Sequence, residues 1–463
     1  MALWSWFLLH VLLYPLCAGA TGYNENCIFE VFSECKRCSF DYGADRYYCL
    51  KKCLNILNKD MDGPCNNFYE NKYVYDAFDM YNSNLQQETA LRTLAKHRGL
   101  YFGMALNYGK LHDQKYMNIA SKQFSSITAE NACKWSYLQP KKDFRNYEAC
   151  DKIIRESVKH DQVVRGHALS WARSTQNPKW FTEGNFTKEE TIGILKDHID
   201  DVLRYYGTNV YVWDVVNEPI SDTNNKVLKV GHWYPKIKNY IDIAFIQAAK
   251  SRKHPNIKLF INDYNVASSR GYTAKKAQKL YDLVVDMKQR GIPIDGVGFQ
   301  LHVDINYSLV DGVKANIERF GNIGVDVHMT EIDVGCAPRE SKCASGWGEK
   351  QEQMQAEVYA ALMRVCLDTD ACKSYTIWGA VDKYTWIQAG HNPLLYDKKY
   401  QPKLAVKALM DTLSDNNVWV DRYYQRINRK PVADVLDEIS SSPWNDFHGV
   451  EQHENIFGME DEL

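Results

Sequence analysis

Two apolar stretches of the chain end in glutamates. Residues 210–219 read VYVWDVVNEP and carry Glu218, and residues 325–334 read VDVHMTEIDV and carry Glu331. Runs this rich in β-branched and aromatic residues are typical of parallel strands covered on both faces. A single glutamate at a strand end is usually a capping or ion-pairing residue. Two of them match the carboxyl pair with which glycosidases cleave a sugar linkage, one as acid and the other as nucleophile or base.

A third stretch of the same kind adds further polar side chains. Residues 296–303 read GVGFQLHV and place Gln300 and His302 at the end of an apolar run. In an eight-stranded α/β barrel, catalytic residues lie at the carboxyl ends of the strands. A lone histidine at a strand end is more often a core residue, so a role for His302 depends on its context.

The segments around these stretches predict the scaffold. Candidate strands alternate with amphipathic helical segments and lie at residues 101–107, 125–131, 163–169, 210–218, 258–264, 296–302, 325–333 and 374–382. The clearest helix runs from Thr187 to Tyr206, with a capping box of Thr187 and Glu190 and a stop at Gly207. Eight such units predict an α/β fold, a closed (β/α)8 TIM barrel. No glycine-rich phosphate loop follows a strand, so nucleotide binding has no support.

The sequence outside the barrel predicts three more segments. Residues 1–20 contain a short apolar run that ends in Ala-Gly-Ala and predict a signal peptide. Residues 21–75 form a small Cys-rich unit, residues 81–415 the catalytic barrel, and residues 416–463 a C-terminal extension without an interpretation.

Cysteine usage predicts an oxidising compartment. Of the 13 cysteines, Cys17 leaves with the signal peptide, and an even number remains. The Cys-rich unit predicts a disulfide scaffold of three bridges, with zinc binding as the alternative and with open connectivity; its cysteines are Cys27, Cys35, Cys38, Cys49, Cys53 and Cys65. In the barrel we expect three local bridges, Cys133–Cys150, Cys336–Cys343 and Cys366–Cys372.

Other sequence features predict a secreted glycoprotein. The sequons at Asn185 and Asn306 are compatible with N-glycans. The final residues EDEL resemble an endoplasmic-reticulum retrieval signal but lack its usual lysine or histidine. A net charge of -2 gives no basic surface for nucleic acid, and no second apolar run is a candidate membrane span.

Eight motifs in order resemble glycoside hydrolase family 10, the retaining endo-β-1,4-xylanases. They span roughly residues 85–412 and read SSITAENACKW, RGHALSW, WDVVNEP, FINDYN, GFQLH, TEIDV, IWGAVDKYTW and LLYDKKYQPK. The resemblance implies that Glu218 is the acid/base and Glu331 the nucleophile, and that no cofactor or metal takes part. Carboxyls roughly 5–5.5 Å apart do not both ionise readily, so Glu218 should hold the proton in the free enzyme.

The resemblance also implies a set of residues that bind the polysaccharide. Asn217 matches the ligand of the sugar 2-hydroxyl, His302 the residue that orients the nucleophile, and Gln300 a neighbour of the acid/base. The other matched positions are Glu130, Asn131 and Lys134 for the glycone sugars, His167, Trp171 and Gln176 at the cleavage point, Trp378 and Trp386 as aromatic walls, and Tyr264 near the nucleophile.

The chain departs from the family pattern beside the scissile bond. Ala172 stands where the family usually has a histidine, and the segment from Trp171 to Trp180 is longer than usual. A loop after the seventh strand, residues 336–348, is also unusual. These departures leave open whether the substrate is xylan or another β-1,4 backbone such as cellulose or mixed glucan. A non-catalytic sugar-binding barrel is a further alternative, disfavoured because both glutamates, Asn217 and His302 are present.

Overall fold

The computed structural model describes residues 90–172, 176–336, 343, 346–388 and 390–427. The predicted signal peptide and Cys-rich unit, and the tail beyond residue 427, lie outside the described residues.

The strands form a closed barrel. In the part of the chain that the structure describes, the strands are β1 (Tyr101–Leu106), β2 (Ser126–Ala129), β3 (Val163–Gly166), β4 (Ser170–Trp171), β5 (Val212–Asn217), β6 (Lys258–Asp263), β7 (Gly296–Phe299), β8 (His302–Asp304), β9 (Asp326–Gly335) and β10 (Cys372–Ile377). The order β1-β2-β3-β5-β6-β7-β9-β10 is closed by pairing of β10 with β1, and every pairing is parallel. The short strands β4 and β8 pair with the carboxyl-terminal halves of β5 and β9. The eight predicted strands are the eight strands of this ring.

Helices surround the ring. They are α1 (Leu91–His97), α2 (Gln114–Gln123), α3 (Trp135–Leu138), α4 (Glu148–Lys159), α5 (Lys179–Thr182), α6 (Lys188–Tyr206), α7 (Tyr240–Ser251), α8 (Ala274–Gln289), α9 (Val310–Asn322), α10 (Glu349–Leu367), α11 (Leu404–Leu413) and α12 (Val418–Arg426). The predicted (β/α)8 TIM barrel is therefore confirmed.

Helix α6 forms as its sequence predicts. Thr187 Oγ1 accepts from the Glu190 N–H at 3.1 Å, and Glu190 Oε2 accepts from the Thr187 N–H at 2.7 Å. Together the two bonds satisfy donors that the first helical turn leaves without partners. The helix ends at Gly207, which has a φ of 52°. Its apolar face, with Leu195 and Ile199, is buried.

Helix α12 lies in the segment predicted as an extension and packs against the barrel. Tyr423 Oη donates to the Tyr307 carbonyl at 3.1 Å, and Tyr424 Oη donates to Asp311 Oδ1 at 3.0 Å. The sequence predicts the barrel's end at residue 415 because the strand-helix alternation stops there. A helix that follows another helix gives no such signal.

The three expected bridges of the barrel form. They are Cys133–Cys150, Cys336–Cys343 and Cys366–Cys372. Cys372 is the first residue of β10 rather than a residue before that strand. Cys336 directly follows β9, so its bridge closes a loop at the carboxyl end of the strand that carries Glu331.

Candidate active site

Glu218 and Glu331 lie at the carboxyl end of the barrel on β5 and β9. Glu218 follows the last residue of β5 with a φ of 53°, a left-handed conformation that is uncommon for a residue with a side chain. Its N–H donates to the Asn262 carbonyl at 2.7 Å, which fixes this backbone against β6. Glu331 lies within β9 and is only 5% exposed.

Asn262 links the two halves of the site. Its Nδ2 donates to Asn217 Oδ1 and to Glu331 Oε1, both at 2.8 Å, while its Oδ1 accepts from Thr330 Oγ1 at 2.7 Å. All four side chains are buried, so the bonds are shielded from water. Asn262 was not predicted as a site residue, although it stands in the FINDYN motif.

Asn217 has an amide group that donates to no residue of the described chain. Its Oδ1 is taken by Asn262, but its buried Nδ2 has no hydrogen-bond partner among the described residues. Leaving a buried donor unpaired costs about 1–3 kcal/mol. Such a donor beside two carboxyls is a ready partner for a ligand hydroxyl.

His302 joins Glu331 to Asp333. Its Nδ1 lies 2.8 Å from Asp333 Oδ2, and its Nε2 lies 3.2 Å from Glu331 Oε2. Burial lowers the pKa of His302, but Asp333 and Glu331 outweigh burial and raise that pKa to about 10. Both ring nitrogens therefore donate at neutral pH.

The same contacts keep Glu331 ionised. Burial raises the pKa of this carboxyl, but the bond from His302, the electrostatic interaction with His167 and the bond from Asn262 outweigh burial. The pKa of Glu331 is therefore lowered from its ordinary value. A buried carboxylate that stays charged at neutral pH is suited to act as a nucleophile.

Glu218 has different neighbours. Gln300 Nε2 donates to its Oε1 at 3.3 Å, and Lys229 Nζ lies 3.6 Å from its Oε2. The Gln300 N–H donates to the Asp263 carbonyl at 3.1 Å, which fixes the backbone of Gln300 against the end of β6. Lys229 was not identified from the sequence.

The residues predicted to grip glycone sugars form one chain of contacts. Glu130 accepts from Asn107 Nδ2 at 2.9 Å, and Asn131 Oδ1 accepts from Lys134 Nζ at 2.8 Å. The Lys134 ammonium also lies 4.8 Å from the centre of the Trp171 ring. Burial lowers the pKa of Lys134, against the charges of three carboxylates, Glu331, Glu130 and Glu218. Lys134 is thus within electrostatic reach of both candidate catalytic groups.

His167 is oriented from behind by a buried carboxylate. Its Nδ1 lies 2.9 Å from Asp214 Oδ2, and Asp214 also pairs with Arg165. The Nε2 of His167 is buried and has no hydrogen-bond partner among the described residues. Asp214 and Arg165 were not predicted as part of the site, although they stand in the WDVVNEP and RGHALSW motifs.

The predicted aromatic walls differ in exposure. Trp378 is 8% exposed and its ring meets His167 edge-on at 5.4 Å. Trp386 is 57% exposed, its ring lies 5.0 Å from that of His302, and its Nε1 donates to Asp333 Oδ2 at 2.9 Å. An indole anchored at its N–H with an open face is suited to stack on a sugar.

Trp171 and Gln176 flank the segment where the chain departs from the family pattern. Trp171 is buried, and its carbonyl accepts from Trp233 Nε1 at 2.9 Å and from Asn177 Nδ2 at 3.0 Å. Gln176 is half-buried, and residues 173–175 between them lie outside the described residues. Ala172 is buried, and its N–H donates to the Asn217 carbonyl at 3.2 Å.

Tyr264 contacts the loop that follows Glu218. Its hydroxyl donates to Asp222 Oδ2 at 2.6 Å, and the ammonium of Lys229 lies 4.3 Å from its ring centre. These contacts are on the Glu218 side of the site. Proximity to the nucleophile stays a prediction.

The described ranges contain no cluster of three or more His, Cys, Asp or Glu side chains arranged to hold a metal ion. Within the same ranges no helix combines the length and the apolarity needed to cross a bilayer.

The comparisons with known proteins agree with this geometry. The sequence model of glycosyl hydrolase family 10 matches residues 90–412. Endo-1,4-beta-xylanase B of Thermotoga neapolitana is 34% identical over 336 residues, covering 70% of this chain and 92% of its own. Beta-1,4-xylanase of Dictyoglomus thermophilum is 34% identical over 323 residues, covering 66% and 86%.

Solved structures show the same likeness. Native xylanase 10B from Thermotoga maritima superimposes with a TM-score of 0.65 at 34% identity and covers 70% of this chain and 98% of its own. Xylanase 10B from Thermotoga petrophila in complex with xylobiose gives a TM-score of 0.65 at 33% identity and covers 70% and 97%. The chain therefore belongs to glycosyl hydrolase family 10 and is a glycoside hydrolase.

Proposed function

We propose that this protein is an endo-β-1,4-xylanase that hydrolyses internal linkages with retention of configuration. The observation that carries the proposal is the contrast between the two carboxyls: a protonated His302 and Asn262 hold Glu331 as a buried carboxylate, while Glu218 is bonded by the amide of Gln300. The names of the two relatives and the xylobiose in the Thermotoga petrophila structure support xylan as the substrate.

The first step forms a glycosyl-enzyme. The Glu331 carboxylate attacks the anomeric carbon, the bond from that carbon to the glycosidic oxygen breaks, and Glu218 gives its proton to the departing oxygen. Asn217 Nδ2 donates to the sugar 2-hydroxyl, a bond that strengthens in the transition state. His302 and Asn262 hold the attacking carboxylate in place.

The second step releases the sugar. Once Glu331 is a neutral ester, Glu218 no longer faces its charge and takes a proton from water. The water oxygen attacks the anomeric carbon, the ester bond breaks, and the Glu331 carboxylate is restored. No cofactor enters either step.

The sugar chain on the glycone side lies along the polar group of Glu130, Asn131 and Lys134. Trp378 and His167, whose rings are in edge contact, line the position of the sugar at the cleavage point. Trp171, in edge contact with His167, and Gln176 lie beside them. Trp386 and Tyr264 complete the binding set. Room for a C6 hydroxymethyl group near Trp378 and Trp386 would move the preference to cellulose or mixed glucan.

Secretion is part of the proposal. It rests on the apolar leader at residues 1–20 and on the three disulfides of the barrel, a kind of bridge that persists in oxidising compartments. Asn185 is exposed, whereas the Oδ1 of Asn306 is buried, so Asn185 is the better site for an N-glycan. On this proposal the final residues EDEL do not retain the protein in the endoplasmic reticulum.

The test uses the purified protein with xylan and with carboxymethyl cellulose, beside Glu218→Ala and Glu331→Ala. Release of xylo-oligosaccharides by the wild type alone would support the proposal and both roles. Activity on the cellulose alone would keep the mechanism and change the substrate. Sugar binding with no activity on either polymer would refute the catalytic proposal and favour a non-catalytic sugar-binding barrel.

A further inference from the structure

The chain after Glu218 folds back as a short hairpin. Ile220 and Leu228 form an antiparallel bridge, and the Lys229 N–H donates to the Pro219 carbonyl at 2.8 Å. This pairing returns the chain to the point where it left β5. It therefore places Lys229 next to Glu218, eleven positions later in the sequence.

The Lys229 ammonium faces the Glu218 carboxyl inside the protein. Its Nζ lies 3.6 Å from Glu218 Oε2, and the two side chains are 11% and 12% exposed. The same Nζ makes no hydrogen bond within the described residues and lies 4.3 Å from the centre of the Tyr264 ring. An ion pair with so little access to water is weakly screened, so the charge of Lys229 acts directly on Glu218.

Other charged groups around the pair do not replace Lys229. Lys276 is engaged by two carboxylates, Asp222 at 2.8 Å and Asp263 at 3.0 Å. Asp263 is buried and interacts electrostatically with Glu218, so its negative charge opposes the effect of Lys229. Burial and the charge of Glu218 raise the pKa of Asp263 to about 6, against the two lysines. Lys134, in the loop after β2, also interacts electrostatically with Glu218, but its ammonium donates a hydrogen bond to Asn131.

We propose that Lys229 is a positioning residue that stabilises the carboxylate form of Glu218. The inference rests on the proposed acid/base role of Glu218. When the proton of Glu218 passes to the glycosidic oxygen, a carboxylate is left in a nearly dry site. Lys229 lowers the free energy of that carboxylate during the transfer and in the glycosyl-enzyme, while Gln300 holds the other oxygen.

Two measurable properties follow. The basic limb of the pH profile of kcat/KM reports loss of the proton that the acid must carry. Without Lys229 that proton is held more tightly, so the limb should move to higher pH. A weaker acid also slows cleavage of a sugar leaving group, but not of a 2,4-dinitrophenolate, which departs without a proton.

The experiment compares Lys229→Met and Lys229→Arg with Lys279→Met as the control. Lys279 Nζ donates to the Thr223 carbonyl at 2.5 Å and to the Lys226 carbonyl at 2.7 Å, so its removal loosens the same hairpin without touching Glu218. Lys229→Gln serves as a second neutral variant should the methionine variant fail to fold. The substrates are xylohexaose and 2,4-dinitrophenyl β-xylobioside.

The neutral variants should move the basic limb up by about one pH unit. They should lower kcat/KM on xylohexaose by roughly threefold to tenfold. The kcat/KM on the aryl glycoside should stay unchanged. Lys229→Arg and Lys279→Met should keep the wild-type limb. A limb that stays in place, or an equal loss on both substrates, would overturn the inference. Glu218→Ala is assayed in parallel: full activity on xylohexaose in that variant would instead refute the proposed acid role itself.

Discussion

His302 donates to Glu331 while it is itself held by Asp333, with Nε2 3.2 Å from the first carboxylate and Nδ1 2.8 Å from the second. The contact raises the pKa of His302 and lowers the pKa of Glu331, so these two groups are oppositely charged at neutral pH. The negative charge of Glu331 therefore persists at neutral pH although the residue is only 5% exposed.

Replacing His302 should change the acid side of the activity profile. In His302→Gln the hydrogen-bond donor to Glu331 is a neutral amide instead of a charged imidazolium, so the pKa of Glu331 rises. The acidic limb of kcat/KM therefore moves to higher pH. A hydrogen bond to a charged group contributes about 1.5–3 kcal/mol, so we expect a loss of roughly tenfold to hundredfold in kcat/KM on xylohexaose.

His198→Gln is the matched control for this pH profile. His198 is also buried, and its ring stacks on Trp135 at 4.5 Å, outside the carboxyl cluster. Its loss should lower the melting temperature and leave the acidic limb in place. An unchanged limb in His302→Gln would contradict the role assigned to the imidazolium.

The charge of His302 should also appear in stability. Its folded pKa of about 10 lies above the unfolded value of about 6.5, so its contribution is fully present below pH 6.5 and is lost as the pH rises through 10. The difference in melting temperature between the wild type and His302→Gln should therefore be largest near pH 6 and shrink toward pH 10. A difference that stays constant over this range would argue against a protonated His302.

Asn262 should matter as much as the residues that touch the substrate. In Asn262→Ala both bonds of Nδ2 are lost, so Asn217 and Glu331 are no longer held together. We expect kcat/KM to fall by roughly a hundredfold, mainly through kcat, because the bonds position reacting groups. Kinetics on xylohexaose measure this.

A second buried asparagine separates positioning from stability. Asn316 Nδ2 donates to the carbonyls of Val266 and Ala267 on the outer side of the barrel. Asn316→Ala should destabilise the protein to a similar extent but leave kcat of the folded fraction unchanged. Equal kinetic losses in the two variants would show that Asn262 acts only through stability.

Trp386 should contribute to binding rather than to chemistry. Its ring is largely exposed while its N–H is anchored on Asp333, so Trp386→Ala removes a stacking surface. We expect KM for xylohexaose to rise by roughly fivefold, which corresponds to ~1 kcal/mol of stacking, with a smaller change in kcat. Tyr205→Ala removes a comparably exposed ring from the last turn of helix α6 and should leave KM unchanged. A lower kcat with an unchanged KM in Trp386→Ala would contradict the role of Trp386 as a stacking surface for the sugar.

The sequence predicted the barrel and the carboxyl pair because strand-end positions carry the chemistry in this fold. The stretches at 210–219 and 325–334 are mainly apolar, so Glu218 and Glu331 stand out in them. Asn262 was missed because one buried asparagine in a strand has no pattern of its own, and its importance comes from facing β5 and β9 at once. Lys229 was missed because only the hairpin after Pro219 brings it back to Glu218, and a lysine in a polar loop is normally solvated.

The most direct test of the central claim is the mass of a trapped intermediate. The protein is incubated with 2,4-dinitrophenyl 2-deoxy-2-fluoro-β-xylobioside, which slows both steps but the second more, and is then digested and sequenced by mass spectrometry. We expect one fluoroxylobiosyl group on the peptide that contains Glu331, and none in Glu331→Ala. An adduct on another residue, or turnover without any adduct while Glu331→Ala remains active, would contradict the assignment of Glu331 as the nucleophile.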